Sequence, residues 1–181
     1  MESKEVTNKL NGPVVEIEDD DLRAVGEELV DVVQLVGFVL DDVEYGVDIL
    51  NVFEIQKMHQ IAHLPNSPDY IKGILNLRGD VIPVIDLRVR FGIEATEATE
   101  FSRIIVIDTE GKKIGLFVDS VRKVLRIPEA NVSPPSELIT DLSEEFVHGI
   151  GRMQDHLVII LNVTNIIGDA QKIKEVESAE A

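Results

Sequence analysis

The sequence contains no cysteine and no tryptophan, and aromatic residues make up only 4% of it. Without cysteine the chain can form no disulfide, no thiol nucleophile and no thiolate zinc site, which agrees with a reducing cytosol. With so few aromatic side chains, the stacking platforms that bind single-stranded nucleic acid have little to be built from. These absences exclude much enzyme chemistry and disfavour one kind of nucleic-acid recognition.

Positive charge is also scarce. The chain holds 17 Lys and Arg residues against 34 Asp and Glu residues, which gives a formal net charge of -17. Nucleic acids and anionic membrane surfaces are poor partners for such a chain, because like charges repel. We therefore expect protein partners and predict no nucleic-acid binding.

Long apolar runs are missing as well. No stretch approaches the roughly 18 uncharged apolar residues that a membrane span needs, and the start of the chain lacks the apolar region of a signal peptide. The sequence predicts a cytoplasmic protein without direct membrane insertion. At 181 residues and 44% hydrophobic composition, the chain is long enough to bury a real core.

The chain divides into three parts by composition. Residues 1–31 hold ten acidic and three basic side chains, a net charge of -7, and predict a mostly disordered tail. Residues 21–33, which overlap the end of this tail, favour a marginal helix. Residues 32–168 consist of short runs rich in Val and Ile between turn residues, the pattern of β-strands. Residues 169–181 form a second acidic tail. An all-β body with short helical turns is predicted.

Local turn and capping signals refine this interpretation. The pairs Asp41-Asp42 and Glu110-Gly111 separate apolar runs and predict tight hairpins. Ser67-Pro68 predicts the start of a short helical turn, since Ser favours the N-cap and Pro the first helical position.

An internal repeat is the main organisational feature. LVGFVLDDVEYG from Leu35 matches IIVIDTEGKKIG from Ile104 at an offset of 69 residues. YIKGILNLRGDVIPVIDLRVRFG from Tyr70 matches FVHGIGRMQDHLVIILNVTNIIG from Phe146 at an offset of 76 residues. Two small, similarly built β units are therefore predicted, and each is too small to be stable alone, so we expect them to pack together.

Candidate catalytic and metal-binding residues are few. His59 and His63 stand four residues apart, the spacing of two metal ligands on one helix face, but no third ligand follows nearby. A small metal-dependent enzyme that uses this pair is an alternative; we predict no catalytic residue, metal or cofactor. His148 and His156 have no nucleophile or acidic partner in a recognisable motif.

Asp86 follows a strand and precedes LRVRFG, so it predicts a helix N-cap, with Gly92 as the left-handed stop. Its repeat counterpart is Asn162, which caps equally well but cannot act as an acid or a base. Arg88 and Arg90 predict a solvated helical face. Arg78 is harder to explain, because it lies between an apolar run and Gly79 without an evident partner.

The segments YGVDILNVFEI and PNSPDYIKGILNLRGDVIPVIDLRVRFG resemble the signature of CheW domains, which occur in the coupling protein CheW and in the regulatory domain of the kinase CheA. The likeness runs from about Gln34 to Gly168 and includes IGLFVDSVRKVL and EFVHGIG in the second half. It implies two packed five-stranded SH3-like barrels that share an apolar seam. It also implies a non-catalytic adaptor that couples methyl-accepting chemotaxis receptors to the histidine kinase CheA.

The resemblance implies specific contact residues. It places the receptor-binding positions at Val52, Glu54, Gly73 and Arg78, with Glu54 and Arg78 paired, and a kinase contact at Leu138. The expected partners are the cytoplasmic tip of the receptor and the regulatory domain of CheA. An SH3-like scaffold outside chemotaxis remains an alternative.

Overall fold

The computed structural model describes residues 31–135, 142–168 and 170. Leu138 and both predicted tails, apart from Asp31 and Ala170, lie outside these ranges. The described strands are β1 (Val32–Leu40), β2 (Val43–Asp48), β3 (Val52–Lys57), β4 (Ile71–Leu77), β5 (Asp80–Asp86), β6 (Arg103–Thr109), β7 (Lys112–Val118), β8 (Ser120–Pro128), β9 (Val132–Ser133), β10 (Val147–Arg152) and β11 (Leu157–Leu161). The short helices are α1 (Leu87–Arg90) and α2 (Val163–Ile167).

The strands form two sheets. One has the order β3-β6-β7-β5-β4 and comes from a continuous stretch of chain; we call it the central barrel. The other has the order β8-β1-β2-β11-β10-β9 and combines strands from both ends of the described chain; we call it the terminal barrel. Its β9 is only two residues long, so five main strands remain. The predicted all-β fold of two packed five-stranded SH3-like barrels is confirmed.

Tight hairpins form at the predicted turns. Asp41 and Asp42 have φ values of 48° and 62°, and Glu110 and Gly111 have values of 55° and 78°. Two successive positive φ values are the geometry that matches the twist of antiparallel strands. A third hairpin of the same kind lies at Arg78 and Gly79, with φ values of 53° and 90°.

The repeat is visible in matching contacts. A Cβ atom on Gly46 would lie 2.9 Å from the Leu35 side chain, and one on Gly115 would lie 2.8 Å from Ile104. Leu35 and Ile104 are themselves repeat counterparts. Both glycines are therefore needed where a large core residue of the neighbouring strand crosses them.

The two capping positions also match. The Asp86 side chain accepts from the Arg88 backbone N–H, and that of Asn162 accepts from the Asn165 backbone N–H. The backbone N–H groups of Asp86 and Asn162 donate to the carbonyls of Tyr70 and Phe146, each at 2.8 Å. Asp86 is thus confirmed as a cap.

The repeats exchange strands. The first copy places β1 and β2 in the terminal barrel but β4 and β5 in the central barrel, and the second copy does the reverse. The joints are the parallel pairs Val84 with Gly115 and Ile160 with Gly46, which are equivalent under the repeat. Neither repeat therefore contains a complete barrel.

Apolar side chains form three clusters. Each barrel has an interior cluster, around Leu75, Val84 and Phe117 in the central barrel and around Leu35 and Ile127 in the terminal barrel. The largest cluster lies between the barrels. Strand β6 contributes residues to two clusters: Ile104 and Val106 pack in the barrel interior, and Ile105 and Ile107 pack in the shared seam. This is the two-residue period of a strand buried on both faces.

Two local predictions were wrong. Ser67-Pro68 starts no helix: the Ser67 hydroxyl donates to the Leu64 carbonyl, and Ile71 N–H donates to the Pro68 carbonyl in a turn that leads into β4. Arg88 is not on a solvated face, since its side chain is only 12% exposed. Arg90 lies over the rings of Tyr70 and Phe146, with its guanidinium carbon 4.2 and 4.8 Å from the two ring centres.

Candidate functional site

The predicted charge pair is present on the central barrel. An Nη atom of Arg78 lies 3.1 Å from Oε2 of Glu54. Arg78 occupies the β4–β5 turn and its side chain is 72% exposed, whereas the Glu54 side chain on β3 is 19% exposed. Oε1 of Glu54 is buried and has no hydrogen-bond partner among the described residues. The half-buried carboxylate thus holds an exposed guanidinium on the β4–β5 turn.

Strand β3 carries apolar groups on both sides. Burial alternates along it, with Val52 and Glu54 half-buried and Phe53 and Ile55 exposed. Val52 pairs with Ile107 of β6 and packs against the shared seam. The exposed apolar side chains Phe53 and Ile55 were not singled out from the sequence, although the alternation of NVFEIQK is the signal that could have found them.

A polar rim borders Phe53. The Nζ atom of Lys113 lies 4.2 Å from the centre of the Phe53 ring and 3.6 Å from a carboxylate oxygen of Asp80. Just before β3, the Leu50 side chain projects into solvent from a 3₁₀ turn whose N-cap is Asp48. An apolar strand face with a charged rim is typical of protein interfaces.

Gly73 does not lie beside Arg78. It precedes Arg78 by five residues on β4, about 16 Å along an extended strand. Its φ is +151°, and a Cβ atom there would lie 2.3 Å from the Ala62 carbonyl oxygen. Ala62 exchanges backbone hydrogen bonds of 3.0 and 2.8 Å with Ile74. The backbone that approaches Gly73 in this structure therefore belongs to the chain itself.

The histidine pair forms no metal site in the described structure. His59 Nε2 lies 2.9 Å from the Gln56 side-chain oxygen, and both His59 and His63 are exposed. Among the described residues, no three His, Cys, Asp or Glu side chains are placed to hold a metal ion.

A partly buried charge network joins the two barrels. The Nε and Nη atoms of Arg88 donate to the two carboxylate oxygens of Asp119 at 2.7 and 2.6 Å. Asp119 also accepts from the backbone N–H of Asp41, in the β1–β2 turn. Burial alone would raise the pKa of Asp119, but the hydrogen bonds from Arg88 and Asp41 outweigh it and hold the pKa below its ordinary value of 3.8.

No helix in the described ranges is both long and apolar enough to cross a bilayer.

Comparison with known proteins gives a consistent result. The family model for the CheW-like domain matches residues 34–171. The chain is 36% identical over 141 residues to the chemotaxis protein CheW of Helicobacter pylori, which covers 78% of this chain and 85% of that protein. It is 34% identical to the chemotaxis protein CheW of Klebsiella aerogenes, over 74% of this chain and 81% of that protein.

A solved structure is also similar. The scaffolding protein TtCheW from Thermoanaerobacter tengcongensis is 39% identical, with a TM-score of 0.71, and the match covers 76% of this chain and 93% of that one. Sequence motif, strand-exchanged architecture and these matches agree. The chain therefore belongs to the CheW family and is a chemotaxis adaptor.

Proposed function

We propose that this adaptor binds the cytoplasmic tip of a methyl-accepting chemotaxis receptor along β3 and the β4–β5 turn, and thereby couples the receptor to CheA. The observation that carries the proposal is the pair formed by Glu54 and Arg78. It presents a guanidinium beside a strand with exposed apolar side chains.

The chemistry of this surface suits a helix. An amphipathic helix needs apolar contacts and a few directional polar ones. Phe53 and Ile55 supply exposed apolar area. Arg78 donates a hydrogen bond to Glu54, and its fork of N–H groups has further donors for carboxylates or helix C-terminal carbonyls.

The second partner is the regulatory domain of CheA, which carries a domain of the same family. Leu138, the proposed kinase contact, lies outside the described residues. We further propose that the adaptor acts in the cytoplasm and without catalysis. Both proposals are supported by family membership, which also favours chemotaxis over a scaffold outside it and over a metal-dependent enzyme.

Arg78→Ala tests the receptor site. Removal of a central guanidinium anchor should weaken binding of a receptor cytoplasmic fragment by about tenfold or more, measured by titration. The melting temperature should fall only modestly: the Arg78 side chain is 72% exposed and such an ion pair contributes about 0 to 1 kcal/mol, but its removal leaves the half-buried Glu54 carboxylate without its partner. CheA binding should be retained.

Arg126→Ala is the matched control, since Arg126 is an exposed arginine on β8 of the other barrel. It should leave receptor binding unchanged. Phe53→Ser, which removes the exposed ring, should also weaken receptor binding. If both Arg78→Ala and Phe53→Ser bind the receptor normally, the receptor site lies elsewhere.

Gly73 calls for a different expectation from Arg78. A substitution there meets the Ala62 carbonyl inside the fold, so Gly73→Asp should lower the melting temperature along with receptor binding. Loss of receptor binding in that variant therefore does not by itself locate the site.

A further inference from the structure

His156 bridges two parts of the terminal barrel that are far apart in sequence. It lies in the connection between β10 and β11. Its Nε2 atom is 2.5 Å from a carboxylate oxygen of Glu44 on β2, and its Nδ1 atom is 2.6 Å from a carboxylate oxygen of the neighbouring Asp155. Both ring nitrogens therefore face a carboxylate.

This geometry requires a particular protonation state. A neutral imidazole donates from one nitrogen and accepts at the other, whereas an imidazolium donates from both. Two carboxylates can be satisfied together only by the imidazolium. The hydrogen bond to Asp155 accordingly raises the pKa of His156; partial burial opposes the rise, and the charge of Glu44 adds to it.

Other charged groups surround His156. They line a crevice of about 690 Å³ beside it. The groups from each neighbouring element are Asp42 of the β1–β2 turn, Glu44 of β2, Asp155 of the β10–β11 connection, and Arg122 and Lys123 of β8. The three carboxylates favour the protonated ring and the two exposed cations oppose it. The two carboxylates in direct contact are the nearest of these charges.

The bridge lies at a narrow joint. Strands β2 and β11 pair in parallel through only two registered residue pairs, Tyr45 with Ile159 and Gly46 with Ile160. This joint attaches the C-terminal hairpin to the N-terminal hairpin. The contact between His156 and Glu44 extends the attachment beyond the end of the backbone pairing.

The internal repeat provides a comparison within the same molecule. Under the offsets of 69 and 76 residues, Glu44 corresponds to Lys113 and His156 corresponds to Asp80. Lys113 and Asp80 form an ion pair of 3.6 Å at the equivalent joint of β5 and β7. Its polarity is reversed, and it contains a lysine and an aspartate where the joint of β2 and β11 has a glutamate and a histidine.

We propose that His156 is a proton-dependent latch that holds the β10–β11 hairpin against β2 when protonated and loosens it when neutral. The equivalent joint of the central barrel is closed by the ion pair of Lys113 and Asp80 and contains no histidine. The latch therefore belongs to the joint of β2 and β11 in the terminal barrel.

The direction of the pH effect on stability follows from the raised pKa of His156. A histidine whose pKa is raised by its folded partners stabilises the fold below its unfolded pKa, near 6.5, and that stabilisation is lost as pH rises through the folded value. The full-length protein should be studied by amide hydrogen exchange at about pH 5.5 and about pH 8.5, with rates corrected for intrinsic exchange. We expect protection of the β10–β11 amides to fall roughly two- to fivefold at the higher pH, the range for an exposed ion pair.

His156→Lys and Glu44→Gln separate the latch from general pH effects. His156→Lys keeps a cation at this position across the pH range, so the β10–β11 protection should become independent of pH. Glu44→Gln removes the negative charge on β2 that attracts the imidazolium, so the pH-dependent part of the protection should shrink. Amides of the β4–β5 hairpin serve as the internal control and should not respond.

The proposal is overturned if wild-type protection at β10–β11 is the same at both pH values. It is equally overturned if the wild-type pH dependence persists in His156→Lys, because another group would then be responsible. The latch proposal is independent of the proposed receptor site at β3 and the β4–β5 turn, so the hydrogen-exchange results do not test that site.

Discussion

At the scale of single residues, Arg88 ties the barrels together. It belongs to α1, which follows β5 of the central barrel. Its guanidinium donates to both carboxylate oxygens of Asp119, which lies between β7 and β8. A further Nη atom donates to the Glu94 carbonyl at 3.0 Å. The guanidinium thus satisfies acceptors from two segments outside α1.

Arg88→Ala should lower the free energy of unfolding by about 2 to 4 kcal/mol, because it leaves the partly buried carboxylate of Asp119 without its partner. Urea unfolding monitored by circular dichroism measures the change. Arg126→Ala removes an exposed arginine and should stay within about 0.5 kcal/mol of wild type. Equal effects of the two substitutions would contradict a special role for Arg88.

Asp119 should also make the protein sensitive to acid. Its folded pKa is lowered, so its contribution to stability is present above 3.8 and is lost as pH falls through the folded value. We expect wild type to lose stability more steeply than Asp119→Asn below about pH 4. Urea midpoints of both proteins between about pH 3 and pH 6 test this; parallel curves would show that other carboxylates dominate.

At the scale of elements, β4 and β10 each contain a β-bulge at an equivalent glycine. The register shifts between Ile71 and Gly73 in β4, and between Val147 and Gly149 in β10. A Cβ atom on Gly149 would lie 2.8 Å from the Ser133 carbonyl oxygen, just as one on Gly73 would meet Ala62. Both bulges admit a short crossing segment against the barrel edge.

Gly73→Ala and Gly149→Ala should each destabilise the protein by about 2 to 4 kcal/mol, since the added methyl group meets a backbone carbonyl that cannot rotate away. Gly111→Ala is the control: its Cβ would meet nothing within 4 Å, so only the cost of its φ of 78° remains, about 1 kcal/mol. Thermal melts rank the three. A Gly73→Ala variant as stable as Gly111→Ala would mean that the Ala62 segment moves easily.

At the scale of the whole molecule, the exchange of strands makes the two sequence repeats interdependent. Strand β1 pairs with β8, and β3 pairs with β6, so each repeat completes its sheets with strands of the other. The shared seam adds a cluster to which both repeats contribute. Folding should therefore require both halves.

A chain divided between residues 97 and 98 should show this. Neither fragment alone should unfold cooperatively, because each lacks partners for its strands, whereas the two fragments expressed together should associate into a folded complex. Co-purification and circular dichroism measure the outcome. If the first fragment folded alone, that result would contradict the exchange of strands. As a control, fragment 49–119 holds all strands of the central barrel and should retain more β structure than either repeat alone.

Much of this protein was determined by its sequence alone. The alternation of apolar residues located the strands, and residues that tolerate positive φ located the hairpins at Asp41-Asp42 and Glu110-Gly111. The paired caps Asp86 and Asn162 were recognisable because capping depends on a few adjacent residues. The segments YGVDILNVFEI and PNSPDYIKGILNLRGDVIPVIDLRVRFG indicated the family, and the family implied the pair of Glu54 and Arg78.

Other features were decided by the tertiary structure. The repeat predicted two units but not the exchange of strands between them, since identical pairing rules allow either arrangement. Arg88 was predicted to be solvated because its partner Asp119 is 31 residues away in the sequence. The contact of His156 with Glu44 was not predicted, since the two residues are more than 100 positions apart. Gly73 suggested an open approach point, yet the chain fills it with Ala62. Contacts between distant segments arise only when the barrels close, and no local pattern records them.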